Sequence, residues 1–351
     1  MPLHPPDRNY TEVLREDREA IILADQLGFE EAFIGEHVTD KAEAVTSCLI
    51  FIASLINATK TIKLGSGTVN LPSTHPAAVA AQVSMIDNML EGRFIFGISP
   101  GGLLSDAEIF GNLDKDRTEM FVESINHILD IWDKEAPYNL EGKYWNITTE
   151  KNLDKETGQG IIVSPFQKPH PPIVVTVVAP FSKGVVAAAQ RGWTPISANF
   201  LQPIWVASHW PMYQKGCELG GYEAKTEDWK VAKSIFVADD EKTAQRYGKG
   251  PDGPYHFYFQ QIMKKLIGNG RPNIFKHDRD MADSDVTLEY VLDSLVISGT
   301  VESVVEQIES FKDTIGDFGT LVYAAHDWVN PELSKRSMEL MANEVIPKLS
   351  K

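Results

Sequence analysis

Cysteine is nearly absent from this chain: two residues in 351, Cys48 and Cys217, with no CxxC spacing and no pairing partner close in sequence. That excludes a disulfide framework and a cysteine-ligated metal site, and it predicts two buried thiols on helices in a reducing cytoplasm. Basic residues are also scarce, 33 Lys and Arg against 49 Asp and Glu, for a formal charge of −16. Phosphate-backbone binding needs clustered cations, so nucleic acid is not expected as a partner, and the acidity reads as a solubility device. No apolar run approaches the length of a membrane span; the longest, such as Ile173 to Ala179, fit strands. No basic apolar leader precedes the first helical segment, so neither membrane nor secretion is expected. There is no Walker loop, no GxGxxG after a strand, no HExxH and no serine-hydrolase spacing, and the nine histidines show no metal pattern. No metal is expected.

What is present is a steady alternation of strand-like and helix-like segments, as in a parallel sheet wrapped by helices. Thr11 to Leu27 reads as a helix capped by Thr11, Glu31 to Gly35 as a strand, and Val45 to Asn57 as a helix. Ile62 to Leu71 is a strand stopped by Pro-Ser-Thr-His-Pro; Pro76 to Leu90 is a helix that opens on proline and stops at Glu91-Gly92; Phe94 to Ile98 is a strand running into Ser99-Pro100-Gly101-Gly102. Residues 134–165 interrupt the rhythm with a hairpin and loop, and 250–286, rich in Gly, Pro and charge, reads as an irregular lid. The remaining strands are Ile173 to Val178, Thr194 to Ala198, Lys230 to Ala238 and Thr320 to Ala325, with Pro331 to Lys348 a closing helix. Eight strands are reached only if the first lies at Met1 to His4, which is short for a strand.

The stretch LGSGTVNLPSTHPAAVAAQVSMIDNMLEGRFIFGISPGG, Leu64 to Gly102, resembles the bacterial luciferase-like flavin monooxygenases. So do Gly35-Glu36-His37, Ala189-Gln190-Arg191-Gly192 and Ser298-Gly299-Thr300. The tail GTLVYAAHDW and Gly250 to Tyr255 are most similar to the limonene and diketocamphane monooxygenase branch. The resemblance implies one (β/α)8 TIM-barrel domain over 1–351, its first strand truncated at the N-terminus. It also implies an enzyme that uses reduced FMN and O2, through a flavin C4a-peroxide, on a small apolar terpene-like alkene or ketone. Homodimer formation is implied with it. The missing nicotinamide fingerprint implies a separate NAD(P)H:flavin reductase. Two other readings remain: a deazaflavin-dependent dehydrogenase on the same barrel, and a non-catalytic flavin-binding barrel.

Barrels place their chemistry at the carboxyl ends of strands, which marks the candidate residues. His37 follows the strand at Glu31, and the family has a functional histidine there; an imidazole can take or release a proton near neutral pH. Its alternative is a loop-bracing histidine. The resemblance implies a non-proline cis peptide at Gly67-Thr68 against the flavin ring, where residues alone would allow a simple bulge. Asn70 is polar in an apolar run and either meets the flavin or satisfies a neighbouring strand end. Ser99 stands where the luciferases proper carry cysteine, and it lines the site beside Gly101 rather than acting as a nucleophile. Ser182, Lys183 and Gly184 open a helix and are assigned to the flavin phosphate, though Ser182 alone would read as a helix cap. His75 and His326 are expected to line the substrate, or else to cap a helix and brace loops.

Overall fold

The structure, a computed structural model, describes residues 2–349, and Met1, the first residue of the expected opening strand, lies outside them. The helix α1 (Tyr10–Gln26) opens on Asn9, whose side chain accepts from Glu12 N, so the cap is Asn9 rather than Thr11. Then come β1 (Glu31–Ile34), α2 (Cys48–Leu55), β2 (Lys63–Ser66), β3 (Val69–Asn70), α3 (Pro76–Leu90) and β4 (Phe94–Ser99). Next are α4 (Leu104–Ile109), α5 (Arg117–Asp133) and the hairpin β5 (Asn139–Leu140) and β6 (Ile147–Thr148), followed by β7 (Ile173–Val177). The second half holds α6 (Lys183–Ala189), β8 (Thr194–Ser197), α7 (Pro203–Ala207), α8 (His209–Gly220), β9 (Lys230–Val237) and the single turn α9 (Glu241–Thr243). It closes with α10 (Pro254–Gly268), α11 (Leu288–Leu295), β10 (Val296–Gly299), α12 (Val301–Ile315), β11 (Thr320–Tyr323), α13 (Pro331–Leu340) and α14 (Ile346–Leu349). Among the described residues no helix is long and apolar enough to cross a membrane.

The chain forms two compact units, Glu30–Val174 on one hand and the residues up to Phe29 with those from Val175 onward on the other. In the first, β1 pairs in parallel with β2, from Glu31 with Lys63 to Ile34 with Ser66. The strand β4 takes β2 along its first half, at Leu64–Phe94, and β3 along its second, at Asn70–Ser99. The single strand expected over Ile62 to Leu71 is thus two, interrupted at Gly67-Thr68. The approach here is close. A Cβ on Gly97 would stand 1.8 Å from the Ser66 carbonyl oxygen, so only glycine fits. The Ser66 hydroxyl bridges the same two strands, accepting from Gly97 N and donating to Gly97 O, both at 2.8 Å. The helix α3 has the expected bounds and ends on Glu91 and Gly92, both at left-handed φ of 49° and 90°.

In the other unit β9 is central. Lys230 pairs with Ile196 of β8 and also with Thr320 of β11, so these lie on opposite edges, while Val296 to Gly299 of β10 run beside Ser234 to Val237. Two expectations are corrected here. Pro2 to His4 form no strand; Leu3 is instead buried in an apolar cluster with Phe236, Phe259 and Phe275, anchored by its side chain rather than by backbone pairing. Residues 250–286 are not irregular throughout, because α10 carries Tyr255, Tyr258, Phe259 and Met263 into that same cluster. Gly and Pro at its start serve as a cap and first turn, not as loop formers. Only the stretch between α10 and α11 lacks a long element, and it is tied down by Arg271 Nη2 to Val178 O (3.1 Å) and Trp205 Nε1 to Lys276 O (2.8 Å). Cys48 and Cys217 are free and buried on α2 and α8, as expected.

Candidate active site

In the unit Glu30–Val174, four of the expected residues form one connected cluster beyond the carboxyl ends of β2 to β4. The Gly67-Thr68 peptide is cis. Thr68 donates to the Ser99 hydroxyl at 2.8 Å, and Ser99 donates to Asn70 Oδ1 at 2.8 Å. Gly101 N donates to Ser99 Oγ at 3.2 Å, and Gly101 takes a φ of 76°, a region in which a side chain is strained. Ser99 therefore spends its one proton on Asn70 and both lone pairs on Thr68 and Gly101, so its hydroxyl is fully occupied within the cluster.

The cluster rests on Glu36, which in the sequence stands out only as part of the Gly35-Glu36-His37 motif. Its Oε1 accepts from Asn70 N at 3.0 Å, its backbone oxygen from Asn70 Nδ2 at 3.2 Å, and its Oε2 from Cys48 N and Cys48 Sγ, both at 3.1 Å. Burial first, and then the Glu36 carboxylate, push the Cys48 thiol well above its usual range, so it remains a proton donor. Asn70 thus satisfies the end of the neighbouring strand, the second of its two expected roles, and also holds Ser99.

His37 faces Asp106. Its Nδ1 lies 2.9 Å from Asp106 Oδ2, and its Nε2 lies 3.6 Å from Glu43 Oε2. A carboxylate only accepts, so Nδ1 carries the hydrogen and Nε2 is the nitrogen that can take or release a proton. Asp106 is itself fixed by Thr39 N at 2.8 Å and Thr39 Oγ1 at 2.5 Å. The same Asp106 carboxylate therefore ties the loop at Thr39 and orients the His37 ring. No sequence signal singled out Asp106, which lies 69 residues away on α4.

His75 caps α3, its Nδ1 accepting from Ala77 N at 3.3 Å, and it also lines a pocket of about 240 Å³ in this unit.

In the other unit, Ser182 precedes α6 but makes no cap hydrogen bond with its side chain, and Lys183 and Gly184 are exposed. Ser182 thus occupies the N-cap position of α6 without spending its hydroxyl on the cap. Phe181 before it holds a φ of 51°, with its N–H on Ser208 Oγ at 2.9 Å. His326 is buried, its Nε2 3.1 Å from Ser234 Oγ and its ring 4.1 Å from that of Tyr258. Burial pushes its imidazole down to about 3, so it is neutral at ordinary pH. Its Nδ1 has no hydrogen-bond partner among the described residues. Those contacts hold its ring in a buried position.

The burial and pairing of His4 are not signalled by the sequence. His4 stands between Asp17, 3.0 Å from its Nε2, and Asp327, 2.5 Å from its Nδ1, while Arg8 binds Asp327 and Glu16. Burial opposes its charge, but the two carboxylates outweigh that and push its pKa up to about 9. The pattern of a short polar-flanked segment at the N-terminal end gave no hint of this pairing.

Known proteins resemble this chain along almost its whole length. Residues 1–317 match the family described as luciferase-like monooxygenase. The 3,6-diketocamphane 1,6-monooxygenase of Pseudomonas putida is 27% identical, with 99% of this chain and 96% of that protein covered. Limonene 1,2-monooxygenase of Rhodococcus erythropolis is also 27% identical, over 99% of this chain and 84% of its own length. Among solved structures, the oxygenating constituent of the Pseudomonas putida 3,6-diketocamphane monooxygenase, a type II Baeyer–Villiger monooxygenase in complex with FMN, superposes with a TM-score of 0.90 at 27% identity, covering 99% of this chain and 96% of that one. An F420-dependent secondary alcohol dehydrogenase, at 17% identity and a TM-score of 0.69, shares the fold alone. The α/β barrel class implied by the resemblance stands on these likenesses, and the chain belongs to the luciferase-like monooxygenase family.

Proposed function

We propose that this chain is the oxygenase component of a two-component flavin system. It takes reduced FMN from a separate NAD(P)H:flavin reductase and, with O2, oxygenates a small apolar terpene-like alkene or ketone. The observation that carries this reading is the joint likeness in sequence and fold to the FMN-bound diketocamphane enzyme. Reduced FMN, when bound, supplies the electron pair that lets one oxygen atom enter the substrate and the other leave as water.

The chain's own residues fit such a group. A Cβ on Gly67 would meet Phe33 Cβ at 3.0 Å, whereas at Gly102 an added Cβ would meet nothing within 4 Å, so the open space lies on the Gly102 side. Thr68, Asn70, Ser99 and Gly101 are held rigid by each other and by Glu36, so a flat ring meets fixed lone pairs and amides at no reorganisation cost. His37 handles a proton at Nε2 while Asp106 holds its tautomer. Ser182, Lys183 and Gly184 are assigned the FMN phosphate, since the Ser182 hydroxyl is not spent on its helix. His75 and His326 are the proposed substrate-side histidines. The stretch between α10 and α11 takes over the lid role. Two buried thiols suit a reducing cytoplasm.

A homodimer is part of the reading. Ile50 on α2 and Met85 and Met89 on α3 are exposed, Ile50 at 75%, an apolar set on two neighbouring helices of one unit. Ile50→Glu with Met85→Glu is expected to yield monomers in sedimentation, and an unchanged sedimentation coefficient contradicts this.

The test is turnover with reductase, NAD(P)H and FMN on camphor and on limonene. The reading requires a product that has gained one oxygen atom. Reduced flavin oxidised only to hydrogen peroxide with every substrate tried, or a protein that binds deazaflavin and not FMN, overturns it.

A further inference from the structure

The turn before α3, the loop after α4 and the hairpin of β5 and β6 surround an open pocket of about 240 Å³ in the unit Glu30–Val174. Its lining is mainly polar, and no Asp or Glu contributes to it. In a chain with a formal charge of −16 that is a local exception. Several of the lining side chains carry hydrogens that the protein itself does not use.

Lys115 supplies the charge. Its Nζ donates to Asn112 Oδ1 at 3.0 Å, and Asn112 is buried and fixed by its Nδ2 to Pro72 O at 2.8 Å. No carboxylate pairs with Lys115 among the described residues. An ammonium has three donors, so two remain. Asp116 and Glu119, close in sequence, are engaged elsewhere. Asp116 caps α5 through Thr118 N and Glu119 N, and Glu119 takes Lys143 Nζ and the Tyr144 hydroxyl. His75 adds a further donor. Because its Nδ1 accepts from Ala77 N, the ring hydrogen sits on Nε2, which has no partner among the described residues. The hydroxyls of Ser73 and Thr74 are likewise unspent among the described residues. These three residues lead directly into α3, a helix of 15 residues whose amino end favours negative charge.

A tethered ammonium, an imidazole N–H and two hydroxyls, with no acid beside them, select an oxyanion. A carboxylate offers two oxygens to these donors, and a phosphate offers three strong acceptors. We propose that this pocket binds a phosphate group, free or carried by a small phosphomonoester, with Lys115 as its charge partner and His75, Ser73 and Thr74 as hydrogen-bond donors. Ser182, Lys183 and Gly184, assigned the FMN phosphate above, do not line it, so this is a second anion site that needs neither flavin nor oxygen.

Inorganic phosphate and glycerol 3-phosphate are titrated calorimetrically into the flavin-free full chain at constant ionic strength, with acetate as the carboxylate control. The same titrations are made with Lys115→Met, with Ser73→Asp, which places a carboxylate in the pocket, and with Ser182→Ala. Lys115 is exposed and Ser73 half-buried, so both variants are expected to fold, and melting temperatures verify this; if Ser73→Asp does not fold, Lys115→Met decides. The expected result is one phosphate per chain that is weakened at least about 10-fold by Lys115→Met, lost in Ser73→Asp and kept in Ser182→Ala, with acetate binding more weakly. Tighter binding of glycerol 3-phosphate than of inorganic phosphate identifies the carried form, and the reverse order the free ion; both support the site. No saturable binding, or equal affinity in wild type and Lys115→Met, overturns it. A single phosphate lost in Ser182→Ala and kept in Lys115→Met belongs to the flavin site and also overturns it.

Discussion

Replacing His4 by alanine tests how the N-terminal segment is held without a strand. The imidazole, buried and charged, is the shared partner of Asp17 and Asp327, so its removal leaves two buried carboxylates, of which Asp327 stays paired with Arg8. A rise from 6.5 to about 9 corresponds to roughly 3 kcal/mol at about 1.4 kcal/mol per unit. Asp17 offsets part of that, because burial, acting against the pull of His4, pushes its carboxyl up. A net loss of about 2–3 kcal/mol is expected, near the lower end of what breaking a buried pair costs. The sign with pH follows from the direction of the shift. A raised histidine pKa contributes stability that is fully present below about 6.5 and is lost as pH rises through about 9. Urea unfolding should therefore show wild type weakening between pH 7 and 10, with His4→Ala starting lower and nearly flat over that window. In a chain of 351 residues this amounts to a fall of about 3–4 °C in melting temperature near pH 6. Equal midpoints for the two proteins at pH 6, or parallel slopes up to pH 10, would refute the reasoning.

His37→Ala should lower turnover at least about 100-fold, with FMN affinity and melting temperature little changed; unchanged turnover removes it from the chemistry. Asp106→Asn keeps the shape but no longer fixes Nδ1–H, so it should lower kcat and displace the pH profile, whereas a profile identical to wild type would make Asp106 a loop brace only. Ser182→Ala should weaken FMN by about 1–2 kcal/mol and riboflavin hardly at all, and equal losses would put the phosphate elsewhere. Gly97→Ala should cost several kcal/mol or prevent folding, because its Cβ would overlap the Ser66 oxygen; a stable, active variant would show that these strands separate easily.

What was legible in the sequence was local. The helix α3 announced itself by proline at its start, helical apolar spacing and Glu91-Gly92 at its end, and its bounds are as read. The pair Gly67-Thr68 and the polar residues Asn70 and Ser99 stood out as small or polar residues in apolar strands, and they meet in one hydrogen-bonded cluster. What was hidden depends on contacts distant in sequence. Asp106 is an ordinary surface-type residue until the fold brings it to His37, and Glu36 gains meaning only from Asn70 and Cys48. The helix α10 was misread because Gly250 to Tyr255 carries loop-like residues at a helix entrance, while the aromatic face that buries it lies just beyond. The strand β10, four residues directly after α11, was too short to show a period of its own.

The central claim is that this chain transfers one atom of O2 to an organic substrate with reduced FMN. The most direct measurement is a single turnover of FMN-loaded, pre-reduced protein mixed with ¹⁸O₂ and camphor or limonene in unlabelled water, with products read by mass spectrometry. The account predicts product carrying one ¹⁸O atom, in an amount that His37→Ala lowers at least about 100-fold. Product oxygen drawn from water, or reduced flavin consumed entirely as labelled hydrogen peroxide with both substrates, would contradict it.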